Sequence, residues 1–167
     1  TVVVRRRGVL TTGQPWLIDV AVDGSGPDGA DHVLRVAGSL ARGVDHPVAR
    51  AVVDAARDRQ LPLLPVEVLA ARPGLGVRGV VEGRIVVVGR ERFVSGWARR
   101  VPDRLVVARS AAEAAGQTAL LVGWEGAVRG VLVLGDPPRP TAAAAVEALA
   151  ALDVRTLVAS GETKLAA

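Results

Sequence analysis

The apolar positions change period several times along the chain. Residues 1–4 form a short β-branched run that reads as a buried strand. A loop over 8–13 follows, and 15–22 alternates well enough for a second strand. Residues 23–29 read as a turn or short linker. Over 31–42 the apolar residues Val33, Leu34, Val36, Ala37 and Leu40 fall at helical spacing, and Gly43 ends that helix. Pro47 fits the first position of a second helix, with Asp45 or His46 as its cap. Val48, Ala49, Val52, Val53 and Ala56 give this helix its buried stripe, and 61–65 is a connection.

The second half is dominated by hairpins. A strand is expected over 66–71. Strands over 77–81 and 84–88 flank Glu82-Gly83, and strands over 118–122 and 128–134 flank Trp124-Glu125-Gly126. Helices are expected over 90–99, 103–115 and 141–152, and a closing strand over 155–159. The middle of the chain is thus α+β, an antiparallel β-sheet flanked by helices. The two ends instead read as pieces of a parallel α/β unit. The simplest organisation is one inserted domain over 14–134, carrying short stumps of its host over 1–13 and 135–163.

Composition narrows what such a chain does. Half of its 167 residues are hydrophobic, which excludes a disordered tail. No apolar run approaches the ~20 residues that span a bilayer, and no signal-peptide pattern opens the chain, so a soluble piece is expected. Cysteine is absent and only His32 and His46 are histidines, so no metal site is expected. His32 reads as a surface helix residue. The net charge of +4 suits a nucleic-acid binder. However, the arginines are scattered apart from Arg5-Arg6-Arg7, and the aromatics are only Trp16, Phe93, Trp97 and Trp124. A solvated arginine-rich surface, with no nucleic-acid partner, fits better. The lone lysine, Lys164, lies in the final Lys164-Leu165-Ala166-Ala167, which resembles a scar left by an expression vector and is set aside over 164–167.

Four motifs occur in order. Gly8-Val9-Leu10-Thr11-Thr12-Gly13 follows the first strand. Asp45-His46-Pro47 lies between two helices. Gly74-Leu75-Gly76 precedes a hairpin ending in Val88-Gly89. Gly135-Asp136-Pro137-Pro138-Arg139-Pro140 precedes a helix, a strand and Ser160-Gly161-Glu162. Singly each is a weak signal. Together they resemble the P-type ATPases that pump copper and other heavy metals, over nearly all of residues 1–163. In that family a strand leads into Asp-Lys-Thr-Gly-Thr, whose Asp is phosphorylated by ATP. A nucleotide-binding domain with a Ser-Glu-His-Pro motif and a Gly-x-Gly loop is then inserted. The resemblance implies that 14–134 is that domain, and that 1–13 and 135–163 belong to the phosphorylation domain. It further implies that His46, Gly74, Gly76 and Gly89 line a nucleotide pocket. Glycines there would let the backbone approach a ligand, although they also shape turns. A helix N-terminus at His46 favours anions, although a capping histidine needs no ligand.

The chain departs from that pattern at chemically important positions. Arg5 stands where the family has its phosphorylated Asp. A guanidinium has no lone pair to offer, so no aspartyl phosphate forms there. Ala41 replaces a Glu that helps recognise adenine, and Arg90 replaces a frequent Asn. Losing a hydrogen bond to a charged group costs about 1.5–3 kcal/mol. Arg90 offsets part of this by attracting phosphate.

The resemblance therefore implies an ATP-binding cytoplasmic domain of a metal-cation-transporting membrane pump. ATP, with Mg²⁺ in the parent, would be its ligand, and the parent's phosphorylation and actuator domains its partners. The membrane would be met only through other parts of the parent. No catalytic residue is expected within this chain. The alternative is a degenerate, non-catalytic regulatory or interaction domain that keeps the fold. A soluble phosphatase of the same superfamily would also need an Asp in place of Arg5.

Overall fold

A computed structural model describes residues 1–24, 29–98 and 100–159. Its centre is a six-stranded antiparallel sheet. The strands are β2 (Trp16–Val22), β3 (Val66–Arg72), β4 (Gly76–Val81), β5 (Arg84–Gly89), β6 (Thr118–Trp124) and β7 (Ala127–Gly135), in spatial order β2-β7-β6-β5-β4-β3. Helices α1 (Ala30–Ala41) and α2 (Pro47–Asp58) cover one face. The short α3 (Glu91–Val94) and α4 (Asp103–Ala114) cover the other. The expected α+β architecture is therefore the one observed.

Two-sided coverage explains the unbroken apolar runs in the strands. Along β5, Val86 and Val88 join the cluster beneath α1 and α2, whereas Val87 joins the cluster beneath α3 and α4. Leu121 and Val122 divide in the same way on β6. Leu34, Leu40, Leu105, Leu121 and Leu132 are fully buried, each worth about 1.5–3 kcal/mol of apolar transfer. Both expected hairpins close through two left-handed residues, Glu82 (φ 52°) with Gly83 (φ 73°) and Glu125 (φ 53°) with Gly126 (φ 73°). This double positive φ is the turn geometry that matches the twist of an antiparallel pair.

A separate pair lies at the chain ends. β1 (Val2–Arg5) runs parallel to β8 (Thr156–Ala159), with Arg5 opposite Ala159. Helix α5 (Ala142–Ala151) precedes β8. The parallel pairing agrees with the sequence pattern, but β1 is not the buried strand expected: Val3 is 66% exposed. Beyond β1, Arg6–Leu10 forms a single π-helical turn where a plain loop is expected.

Two further expectations change. The helix expected over 90–99 shortens to Glu91–Val94. The chain leaves it through Ser95 and Gly96, and Trp97 turns inward until its Cζ3 comes within 3.1 Å of where a Cβ on Gly123 would sit. His32 is not a plain surface residue. It stands edge-on to the buried Trp124, ring centroids 5.5 Å apart, and Arg129 lies 6.0 Å from the Trp124 ring centroid. The Ser160-Gly161-Glu162 motif and 164–167 lie outside the described residues.

Candidate functional site

Residues from four separate segments meet around one cavity of about 390 Å³. Ala41 reaches it from the end of α1, and His46 from the start of α2. Gly74 comes from the turn between β3 and β4, Gly76 from the start of β4, Gly89 from the end of β5, and Arg90 directly follows it. Every residue that the sequence singled out for a pocket therefore borders the same space, as does Ala41.

The local sequence explains each placement. His46 has extended backbone (φ −151°, ψ 141°), and Pro47 occupies the first helical position. His46 Nδ1 accepts a 3.2 Å hydrogen bond from the Val48 N–H. His46, and not Asp45, is thus the cap of α2, and this bond assigns the imidazole proton to Nε2. Asp45 instead pairs with Arg50 at 2.7 Å.

The three glycines differ in kind. Gly74 is left-handed (φ +72°), and open space surrounds its would-be Cβ. Gly76 and Gly89 face each other across the β4–β5 ladder. A Cβ on Gly76 would lie 2.5 Å from Phe93 Cδ1 and from the Val88 carbonyl oxygen. A Cβ on Gly89 would lie 2.9 Å from the same Phe93 atom and 2.5 Å from the Leu75 carbonyl oxygen. Phe93 thus presses on the strand pair from the α3 side, and bare backbone is left as part of the cavity wall. These two glycines are required by packing, whether or not a ligand approaches them.

Sequence reasoning missed two features. The first is the chemistry of the cavity walls, where Ala37, Val48, Val52, Val77 and Leu120 make the interior apolar while Arg72 joins Arg90 in the lining. Arg72 precedes Pro73 and the glycine turn, and only that adjacency signals it. The second is a clasp between the two segments linking the β1–β8 pair to the large sheet. Asp136 accepts from Thr11 Oγ1 at 2.6 Å, from Thr12 Oγ1 at 3.2 Å and from the Gly13 N–H at 3.0 Å. Thr11 Oγ1 in turn accepts from the Gly8 N–H at 3.1 Å. Arg139 donates through Nη2 to the Gly8 carbonyl at 3.1 Å and through its N–H to the Leu10 carbonyl at 2.8 Å. Asp136 and Arg139 stand in the motif noted from sequence, which carries no role there.

Arg5 is exposed at the carboxyl end of parallel strand β1, the end where α/β sheets place their chemistry. Its guanidinium offers donors only. Asp136 already meets three donors in the clasp. This donor set fits a divalent cation poorly.

The family model for haloacid dehalogenase-like hydrolases matches residues 7–167. The chain belongs to the haloacid dehalogenase-like hydrolases. Within this family's range it is similar to a copper-transporting P-type ATPase of Rhizobium leguminosarum bv. viciae, 34% identical over 164 residues. That match covers 98% of this chain and 19% of the relative. It is also 35% identical over 169 residues to cation-transporting P-type ATPase B of Mycobacterium bovis, covering 100% of this chain and 22% of the relative. The chain thus spans about a fifth of the length of these curated relatives. Among solved structures, a zinc-transporting PIB-type ATPase aligns with a TM-score of 0.70 at 27% identity, over 98% of this chain and 26% of that one. The N-domain of a copper-transporting P-type ATPase aligns with a TM-score of 0.61 over 73% of this chain and 99% of that one. At 22% identity this second likeness is one of fold. No helix among the described residues is long and apolar enough to cross a membrane.

Proposed function

We propose that the chain is the nucleotide-binding part of a metal-cation-transporting P-type ATPase, on the cytoplasmic side of a membrane pump. Residues 14–134 form the nucleotide-binding domain, and 1–13 and 135–163 belong to the phosphorylation domain. The observation that carries this reading is the convergence of His46, Gly74, Gly76, Gly89 and Arg90 on one cavity. Its largely apolar interior suits a base, and Arg72 and Arg90 on its border suit phosphate. In the parent the domain would hold ATP, with Mg²⁺, and present the γ-phosphate to the phosphorylation domain. The residues here bind and orient, and positioning is most of what phosphoryl transfer needs from a protein. Arg5 cannot take the phosphoryl group in this chain.

Calorimetric titration of the chain with ATP tests the reading. Saturable binding without turnover is expected. No heat of binding up to millimolar ATP would sink it. Arg5 favours a second reading, a non-catalytic regulatory domain that keeps the fold. That reading gains if the folded chain ignores ATP and binds another protein instead.

A further inference from the structure

We propose that Leu69 is a latch on this cavity: seated on Gly43, it fastens the β3–β4 turn to the segment that carries His46, and so slows release of the nucleotide. This deepens the nucleotide reading and rests on it.

β3 is an edge strand, paired only with β4. Glu67 pairs with Val80 and Ala70 with Arg78, so Val68 and Leu69 together stand opposite Gly79. Two residues against one make a β-bulge. Val68 has φ 51°, the left-handed conformation that glycine takes in one common bulge, and it is 81% exposed. A β-branched residue in that conformation is an outlier. Such outliers persist where the surrounding structure holds them, and they cluster at functional places.

The extra residue changes which side chains face α1 and α2. On β4, Val77 and Val81 belong to the cluster beneath those helices, and a Cβ on Gly79 would point at Leu40 of α1. Val66 lies opposite Val81, and Ala71 opposite Val77, on that face. Simple alternation from Val66 would put Val68 and Ala70 there instead. The bulge turns Val68 out to solvent and gives the inner face to Leu69 and Ala71. Ala71 then borders the cavity. Leu69 lies against the α1–α2 connection, and its Cδ2 occupies the place that a Cβ on Gly43 would take.

Gly43 and Leu69 do not border the cavity themselves, but the residues that follow each of them do. Val44, Asp45 and His46 come after Gly43, and residues 71–76 come after Leu69. The contact therefore joins two walls of the cavity just outside it. Residues 69–74 are all exposed, and Leu69 belongs to neither core cluster, so the fold gains little from this contact. What the contact does set is how firmly the turn is held over the ligand. Contacts of this kind act on release more than on encounter.

Stopped-flow association and release of a fluorescent ATP analogue, mant-ATP, from the whole chain test the latch. Leu69→Ala should speed release about tenfold and change association less than about threefold. Leu69→Met fills the same space and should release as the unaltered chain does. Val68→Ala trims the neighbouring apolar side chain on the solvent side and should change nothing. Gly43→Ala sets a methyl against Leu69 Cδ2, the flexible end of a side chain, so the chain should fold while the latch is displaced. Its release should also quicken about tenfold. The double variant Leu69→Ala/Gly43→Ala should release no faster than either single one, because the added methyl then has no Leu69 to displace. Independent effects would instead multiply to about a hundredfold. Urea midpoints should agree across the set, since Leu69 lies outside both cores. Unchanged release in Leu69→Ala or Gly43→Ala, equal quickening in Val68→Ala, or multiplied effects in the double variant would overturn the latch and leave the nucleotide reading standing. If the unaltered chain binds no mant-ATP and no ATP, the latch and the nucleotide reading fall together.

Discussion

Gly76 lies directly opposite Gly89, and the Phe93 ring fills the space that a Cβ on either would need. A Cβ on either would come within 2.5–2.9 Å of its neighbours, some of them backbone that cannot move aside. Gly76→Ala and Gly89→Ala should each lose about 3 kcal/mol of stability, at the upper end of overpacking costs. Gly74→Ala meets open space and only a left-handed backbone, so it should lose about 1 kcal/mol. Urea unfolding of the three variants checks the ranking. Equal losses would contradict it.

His46 is both a helix cap and a wall of the cavity. His46→Ala should lower stability by about 1 kcal/mol through the lost cap. His46→Asn keeps a capping side chain and should restore that stability. If His46 also holds ligand, both variants should bind ATP more weakly. Unchanged ATP affinity in both would leave His46 with the cap alone.

These separations show what the sequence could and could not tell. The hairpins were legible because Glu82-Gly83 and Glu125-Gly126 are local turn signals between apolar runs. Helices α1 and α2 were legible because one face of each packs on the sheet, so the apolar spacing follows from the fold. Three features were not legible because their cause is distant in the chain. Phe93 and Trp97 pull the segment after β5 into the core and cut the expected helix to Glu91–Val94. β1 reads as buried by composition, yet its faces remain largely open. Arg72 borders the cavity because it ends β3 at the turn that closes one side of it.

The clasp should be a point of fragility. Asp136→Ala removes the acceptor of three hydrogen bonds, one of them from the buried Thr11 hydroxyl. A loss of about 2–3 kcal/mol is expected from bonds to a charged acceptor. Hydrogen exchange should quicken at Gly13 while the amides of β5 and β6 stay protected. Uniform quickening across the sheet would show that Asp136 supports more than this junction.

Ser39 ties α1 to the connection between α2 and β3. Its Oγ donates to the Arg35 carbonyl at 2.7 Å and accepts from the Leu64 N–H at 2.9 Å. Ser39→Ala leaves that N–H without its acceptor, which costs about 1–3 kcal/mol. Thermal unfolding measures it, and an unchanged midpoint would mean that water replaces the hydroxyl.

The central claim is that the cavity between α1, α2 and the β3–β4 turn holds a nucleotide. Titrating ATP into the labelled chain, with amide shifts followed residue by residue, tests it most directly. The account predicts saturable shifts gathered at Ala41, His46, Gly74, Gly76 and Gly89, with Asp136 and the clasp unmoved. No shifts at millimolar ATP, or shifts confined to the clasp and the β1–β8 pair, would contradict it.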